Sequence, residues 1–139
     1  MPPPCTPIAP SDIIILPCSG ASNVGQLTNM AGVELTREGF GKLYCLAGIA
    51  TGLATFISEA QKARIIIAVD GCQTSCARLV MEKNGLACTH HLILTDLGFV
   101  KTADLVPDPE ALQLVKDAIQ ACCTEAKPIV RLGGCMCGI

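Results

Sequence analysis

Short aliphatic runs alternate with longer helix-like stretches along this chain. The clearest run lies at residues 64–69, where three consecutive isoleucines predict a buried strand. Further strands are predicted at residues 12–16, 42–44 and 91–95. Helices are predicted over residues 23–31, 46–62, 74–84 and 107–123. This alternation favours an α/β fold: a three-layer sandwich with a mainly parallel sheet of four to five strands, Rossmann-like or flavodoxin-like.

Local signals mark the ends of these helices. Ser19 or Ser22 supplies the hydroxyl that caps the first one. Gly85 follows the third in the position that favours a left-handed residue. The apolar stretch 43–57 has about 15 residues, whereas a membrane-spanning helix needs roughly 20. We therefore interpret it as part of a buried helix, or of a helix that faces a second copy in a homo-oligomer.

Composition narrows the class of protein. Half of the 139 residues are hydrophobic, but only three Phe, one Tyr and no Trp occur, so the core is aliphatic, as in buried parallel sheets. A net charge of −2 without a basic cluster argues against nucleic-acid binding. We predict one domain at 12–132, between a proline-rich arm at 1–11 and a tail at 133–139. The start of the chain does not resemble a signal peptide, which predicts a cytoplasmic protein with no membrane partner.

The ten cysteines point to chemistry rather than to disulfides, because cytoplasmic thiols are kept reduced. Cys18, Cys45 and Cys72 each follow a predicted strand, and the two intervals between them are both 27 residues. A strand and its crossover helix occupy about that length. The three thiols are therefore expected at the carboxyl edge of one sheet, where α/β folds bind ligands. Asp96, after the fourth strand, is expected to reach the same edge.

A fourth thiol, Cys76, follows four positions after Cys72 in the first turn of a predicted helix. Residues four apart share a helix face, and a helix N-terminus stabilises thiolates. Four thiolates suit tetrahedral zinc, and an iron–sulfur cluster is the alternative. A reversible Cys72–Cys76 disulfide in a thiol redox protein is a further alternative. The remaining interpretation is that these cysteines are small buried hydrophobes.

Three pieces of the sequence resemble one family. They are Cys18-Ser19-Gly20 after the first strand, Cys45 before an apolar stretch, and Asp70-Gly71-Cys72 with Cys76 after the third strand. Over residues 13–99 the chain is similar to the DGC-domain proteins, named for their Asp-Gly-Cys motif. The resemblance implies zinc binding by Cys18, Cys45, Cys72 and Cys76, and it implies no defined reaction.

The neighbours of these cysteines have their own expected roles. Ser19 and Gly20 would form the site loop. Asp70 would accept a hydrogen bond from a group that supports the site or would fix the turn; otherwise it is an ordinary turn aspartate that bonds to its own backbone. Gly71 would supply a positive φ or a close approach to the metal.

Other polar residues add less to the prediction. Cys135 and Cys137 lie outside the family pattern, and on their glycine-rich tail they would bind a soft metal or exchange disulfides. His90 and His91 point to opposite faces of a strand, so at most one can join the site. Without a convincing catalytic set, we predict metal sensing, storage or transfer rather than an enzyme.

Overall fold

A four-stranded parallel sheet forms the centre of the molecule, and this confirms the predicted α/β class. The computed structural model describes residues 7–124, so Cys5, Cys135 and Cys137 lie outside the described residues. The strands are β1 (Ile13–Pro17), β2 (Lys42–Leu43), β3 (Ile65–Asp70) and β4 (His90–Ile93). Their order across the sheet is β2-β1-β3-β4, which the sequence could not predict.

Helices cover both faces of the sheet and make the three layers. They are α1 (Asn23–Arg37), α2 (Leu46–Ala50), α3 (Ala54–Gln61), α4 (Cys76–Lys83) and α5 (Pro109–Thr124). Alternate residues of β1 enter different cores: Ile13 and Ile15 pack with α1 and α5, whereas Ile14 and Leu16 pack with residues of α2 to α4. Since successive side chains of a strand point to opposite faces, both faces of β1 must be apolar.

The second predicted helix is wrong in two respects. Residues 46–62 do not form one helix, because the chain breaks between α2 and α3, where Gly52 adopts a left-handed φ of 73°. Nor is the segment a buried helix: Leu53 is 49% exposed, and Ile49 and Ala60 are its buried hydrophobic side chains. No helix among residues 7–124 is long and apolar enough to cross a membrane.

Two further helix boundaries differ from the prediction. Helix α1 runs on to Arg37, because Leu27, Ala31 and Leu35 continue one buried stripe at intervals of four. Helix α4 begins at Cys76, because Ser75 has a left-handed φ of 56° and ends the preceding loop. Gly85 follows α4 with a φ of 70°, as the sequence predicted.

The strand order creates a crevice at one point of the carboxyl edge. The chain leaves β1 toward β2 on one side, while β3 lies on the other side of β1. The loop after β1 leads into α1 on one face, and the loop after β3 leads into α4 on the opposite face. Ligands of open α/β sheets bind at such switch points.

Candidate thiol site

The four cysteines singled out in the sequence all lie at the carboxyl edge of the sheet. Cys18 directly follows β1, Cys45 follows β2 after one intervening residue, and Cys72 follows β3 after Gly71. Cys76 is the first residue of α4. Cys18 and Cys72 are half-buried, whereas Cys45 and Cys76 are exposed. The edge of the crevice therefore carries thiols on both of its loops.

Cys18 is held by backbone and side-chain contacts from three elements. Its amide donates to the carbonyl of Val69 at 2.9 Å and extends the pairing of β1 with β3. Its sulfur accepts a hydrogen bond from the Gly71 amide at 3.4 Å and lies 3.6 Å from the Thr28 hydroxyl. Contact with the Gly71 amide links the thiol after β1 to the Asp-Gly-Cys motif after β3.

The loop after Cys18 is fixed by the first turns of α1. Ser19 adopts a left-handed φ of 54°, and its hydroxyl donates to Asn29 Oδ1 at 3.1 Å. The carbonyl of Gly20 accepts from Gln26 Nε2 at 3.0 Å. Of the two serines predicted to cap α1, it is Ser22 that does so. Its hydroxyl accepts a hydrogen bond of 3.0 Å from the amide of the third residue of the helix.

Gly71 is required by a close approach between two loops. A Cβ on Gly71 would lie 2.8 Å from the nitrogen of Gly25 and 2.9 Å from the carbonyl carbon of Val24. The prediction of a positive φ at Gly71 is wrong, because it is not among the positive-φ glycines. What comes close to Gly71 is the backbone of α1, so the glycine allows the loops after β1 and β3 to touch.

Asp70 closes the loop that carries Cys72 and Cys76. Its side chain is 1% exposed and accepts from the amides of Ala77 at 2.7 Å and Arg78 at 3.2 Å. These amides belong to the first turn of α4, so Asp70 caps that helix from the end of β3. Of the roles expected for Asp70, the structure therefore shows the fixing of its loop, which Asp70 achieves through the first amides of α4 and not through its own backbone.

His91 is the buried partner of Asp70, a pairing that sequence reasoning missed. Its Nε2 lies 2.8 Å from Asp70 Oδ2, and both side chains are 1% exposed. His91 lies on β4 beside β3, and the pattern of two adjacent histidines does not reveal which one faces Asp70. His90 is half-buried, and burial lowers the pKa of its imidazole.

Cys72 lies against a hydroxyl and an ammonium group. Its sulfur is 3.5 Å from the hydroxyl of Thr74 and 3.5 Å from Nζ of Lys101. Hydrogen bonds from Thr74, and then the hydrogen bond and charge of Lys101, lower the pKa of the Cys72 thiol. The surroundings of Cys72 thus favour the anionic form of its thiol.

Lys101 reaches Cys72 because Asn23 anchors the loop on which the lysine lies. Asn23 Nδ2 donates to the carbonyl of Val100 at 2.7 Å, and the amide of Thr102 donates to Asn23 Oδ1 at 2.6 Å. The Asn23 amide also donates to the carbonyl of Thr102 at 3.1 Å. Sequence reasoning missed Lys101 because it is separated from the cysteines along the chain and carries no motif.

The environment of Cys76 differs from the prediction. Burial, followed by the negative charges of Asp70, Cys18 and Cys72, raises the pKa of its thiol. A backbone hydrogen bond at Cys76 does lower the pKa, as expected for a helix start, but burial and the neighbouring charges outweigh it. The shared helix face was wrong, since Cys72 lies in the loop before α4. These charge effects nevertheless show that Cys76 lies close enough to Cys18 and Cys72 for their charges to act on it.

Cys45 lies at the start of α2 and lines a cavity. It caps α2, and its sulfur accepts from the Gly48 amide at 3.4 Å. Cys45 and Cys18 both line a cavity of about 570 Å³, which Cys72 and Cys76 do not line. Cys18 is therefore the thiol shared by the cavity and by the loop after β3.

The donor set suits a soft metal ion, but it is not assembled in this conformation. Within residues 7–124, no group of three or more His, Cys, Asp or Glu side chains is arranged to hold a metal ion. Thiolates are preferred ligands of zinc and of iron–sulfur clusters, so the chemistry fits. Metal binding would require the thiols to come together at a common point.

Of the other candidate residues, Asp96 lies near the site and three further cysteines lie in or beside the hydrophobic cores. Asp96 contacts the side chain of Gln73, so it reaches the loop that carries Cys72. Cys88 and Cys122 are buried in the two cores, and Cys123 is half-buried on α5. Cys122 and Cys123 are free thiols outside the candidate site and serve for comparison.

Cys72 should be alkylated faster than Cys76 by iodoacetamide near neutral pH. A lowered pKa gives Cys72 a larger thiolate fraction, and the raised pKa of Cys76 gives it a smaller one. Replacing Lys101 by methionine should slow labelling of Cys72 several-fold and leave Cys123 unchanged. Time-resolved peptide mass spectrometry gives each rate. Equal rates at Cys72 and Cys76 in the unmodified chain would contradict this.

Comparison with known proteins gives one family and one curated relative. The DGC domain family matches residues 14–119. The anaerobic and virulence modulator AnvM of Pseudomonas aeruginosa is 32% identical over 88 residues, which span 63% of this chain and 67% of AnvM. No solved structure matches the chain significantly. The family match includes the Asp-Gly-Cys motif at residues 70–72.

Proposed function

This chain belongs to the DGC-domain family, and from that premise we propose that it binds a soft metal ion, zinc, through Cys18, Cys45, Cys72 and Cys76. One observation carries the proposal: four thiols from three successive βα units lie at the same carboxyl edge. Buried cysteines that only fill space have no reason to gather there. Cys18 and Cys72 lie on the two loops that meet at the crevice, and Gly71 connects them.

The metal would be held by residues that differ in how much they must move. The charges of Cys18 and Cys72 already act on the Cys76 thiol. Because the four thiols are not arranged around one point, at least one must move to complete the site, and the break between α2 and α3 at Gly52 offers a point where the helix that Cys45 caps can shift. A ligand that has to move to complete the site suits metal sensing, storage or transfer better than a purely structural metal. AnvM is named a modulator, which agrees with a regulatory use.

Elemental analysis of protein purified without added metal tests the proposal. The wild type should contain about one equivalent of zinc. Each of Cys18→Ser, Cys45→Ser, Cys72→Ser and Cys76→Ser should lose most of it. Cys123→Ser, a half-buried thiol on α5, should keep it. Circular dichroism of every variant checks that folding is retained.

The outcomes separate the alternatives. A metal-free wild type, or equal loss in Cys123→Ser, would contradict the zinc proposal. A brown protein with visible absorption would replace zinc by an iron–sulfur cluster, because zinc thiolates are colourless.

A thiol redox function is the second candidate, and the contact of Lys101 with Cys72 favours it. In this reaction the Cys72 thiolate attacks a low-molecular-weight disulfide and releases one thiolate. Cys76 then attacks the mixed disulfide, releases the second thiolate and leaves a Cys72–Cys76 disulfide. A chelator distinguishes the two candidates: it should raise thiol reactivity sharply if a metal is bound, and leave it unchanged if the protein acts by redox exchange.

A further inference from the structure

We propose that the cavity beside Cys18 and Cys45 is a binding site for a small organic molecule that has an apolar body and one hydrogen-bond acceptor at its end. The cavity of about 570 Å³ opens where β1 and β2 end, and residues of α1, α2 and α4 line it. Its volume is typical of small-molecule sites, and it lies at the carboxyl edge of the sheet. This inference needs no metal and goes beyond the proposed function.

The walls of the cavity are mainly apolar. Six side chains supply this surface: Pro17, Leu43, Leu46, Ala47, Ala50 and Val80. Ala47 and Ala50 are three apart on α2, so their small side chains lie on one face of the helix. Larger residues at these two positions would fill the space. The cavity therefore exists because α2 presents alanines to it, and an apolar ligand would take the place of the missing side chains.

A polar group is available at one side of the cavity. Asn29 lines it, and its Oδ1 already accepts from the Ser19 hydroxyl at 3.1 Å. That bond orients the side-chain amide and leaves its NH₂ group to donate to a carbonyl, carboxylate or sulfonate. Ser19 reaches Asn29 from a left-handed conformation that is uncommon for residues other than glycine. Residues held in such conformations cluster at binding and active sites.

The two thiols make occupation of the cavity measurable. Cys18 and Cys45 both line it, and Cys45 is exposed, so a reagent can reach its sulfur when the cavity is empty. A bound molecule would cover Cys45. Cys123 on α5 lies outside the cavity and serves as the internal reference.

Titration with anilinonaphthalene sulfonate tests the proposal, since this dye has apolar rings and a sulfonate acceptor. The full-length chain should bind it saturably at about one dye per chain, both as purified and after a chelator has removed bound metal. In the chelator-treated chain the dye should slow maleimide labelling of Cys45 but not of Cys123. Ala47→Trp should weaken dye binding by about tenfold or more, because the ring occupies the cavity. Asn29→Ala should weaken it several-fold by removing the donor.

Ala54→Trp is the matched control. Ala47 and Ala54 are both exposed, so each replacement adds the same ring without entering a core. Ala54 does not line the cavity, and its variant should bind the dye as the wild type does. Absence of saturable binding, or equal binding by Ala47→Trp and Ala54→Trp, would overturn the inference. Because metal content is measured separately, a failure of the zinc proposal and a failure of this one remain distinguishable.

Discussion

Replacing Asp70 by alanine is expected to lower the free energy of unfolding by about 3–5 kcal/mol. The carboxylate is buried and accepts hydrogen bonds from Ala77, Arg78 and His91. Its removal leaves the two amides that begin α4, and the buried imidazole, without their partner. Unsatisfied buried groups lose their full solvation, which is why the cost exceeds that of an ordinary hydrogen bond. Urea denaturation followed by circular dichroism measures the change.

Two further variants serve as comparisons for this measurement. Asp70→Asn keeps one acceptor oxygen and should cost less than Asp70→Ala. Asp96→Ala removes a carboxylate that contacts Gln73 at the same edge but near the surface, and it should cost less than about 1 kcal/mol. If Asp70→Ala were no more destabilised than Asp96→Ala, the assigned role of Asp70 as the cap of α4 would be wrong.

Replacing Gly71 by alanine is expected to destabilise the protein by about 2–4 kcal/mol. The added Cβ would meet the backbone of α1 at 2.8 Å, and backbone cannot rotate away as a flexible side chain can. Gly25 is constrained by a different loop: a Cβ there would lie 2.3 Å from the carbonyl oxygen of Gly20, in the loop after β1. Gly71→Ala must therefore push α1 away from the loop after β3, and Gly25→Ala must push it away from the loop after β1.

Gly39→Ala is the control for this prediction. Gly39 has a φ of 81°, and a Cβ added there would meet nothing within 4 Å. Its replacement should therefore cost about 1 kcal/mol through backbone strain alone. Urea denaturation of the three glycine variants compares the effects. A Gly71→Ala protein as stable as Gly39→Ala would show that the contact with α1 relaxes easily.

These two predictions assign separate tasks to the Asp-Gly-Cys motif. Asp70 fixes both ends of the loop after β3, and Gly71 allows that loop to touch α1 and to donate its amide to Cys18. Cys72 then extends from a backbone that is held on both sides. Such a rigid support is what a metal site or a reactive thiol requires, because ligands and nucleophiles act only in a narrow geometry.

The strands could be predicted closely because their signal is local. Three isoleucines in β3 and the aliphatic run in β1 favour buried parallel strands wherever they occur. The helix predicted over residues 46–62 failed because hydrophobicity alone does not show where a chain turns. Gly52 ends α2 by adopting a left-handed conformation, and a glycine in a helical pattern indicates such a break only weakly.

The supporting residues could not be predicted, since they meet only in the folded chain. Lys101 contacts Cys72 because Asn23, at the start of α1, anchors the loop of the lysine. His91 contacts Asp70 because β4 lies beside β3. The order of strands in a sheet cannot be predicted from the local sequence. Contacts of this kind depend on how elements pack, so no spacing rule along the chain reveals them.

The sequence by itself determined the class of fold, the aliphatic core, and the placement of Cys18, Cys45 and Cys72 after strands, because hydrophobic periodicity and turn chemistry act over a few residues. The tertiary structure alone decided the strand order, the charges around Cys72 and Cys76, and the cavity that Cys18 and Cys45 line but Cys72 does not. The physical reason is that burial, charge and distance are properties of pairs of residues remote along the chain, and only packing brings those pairs together.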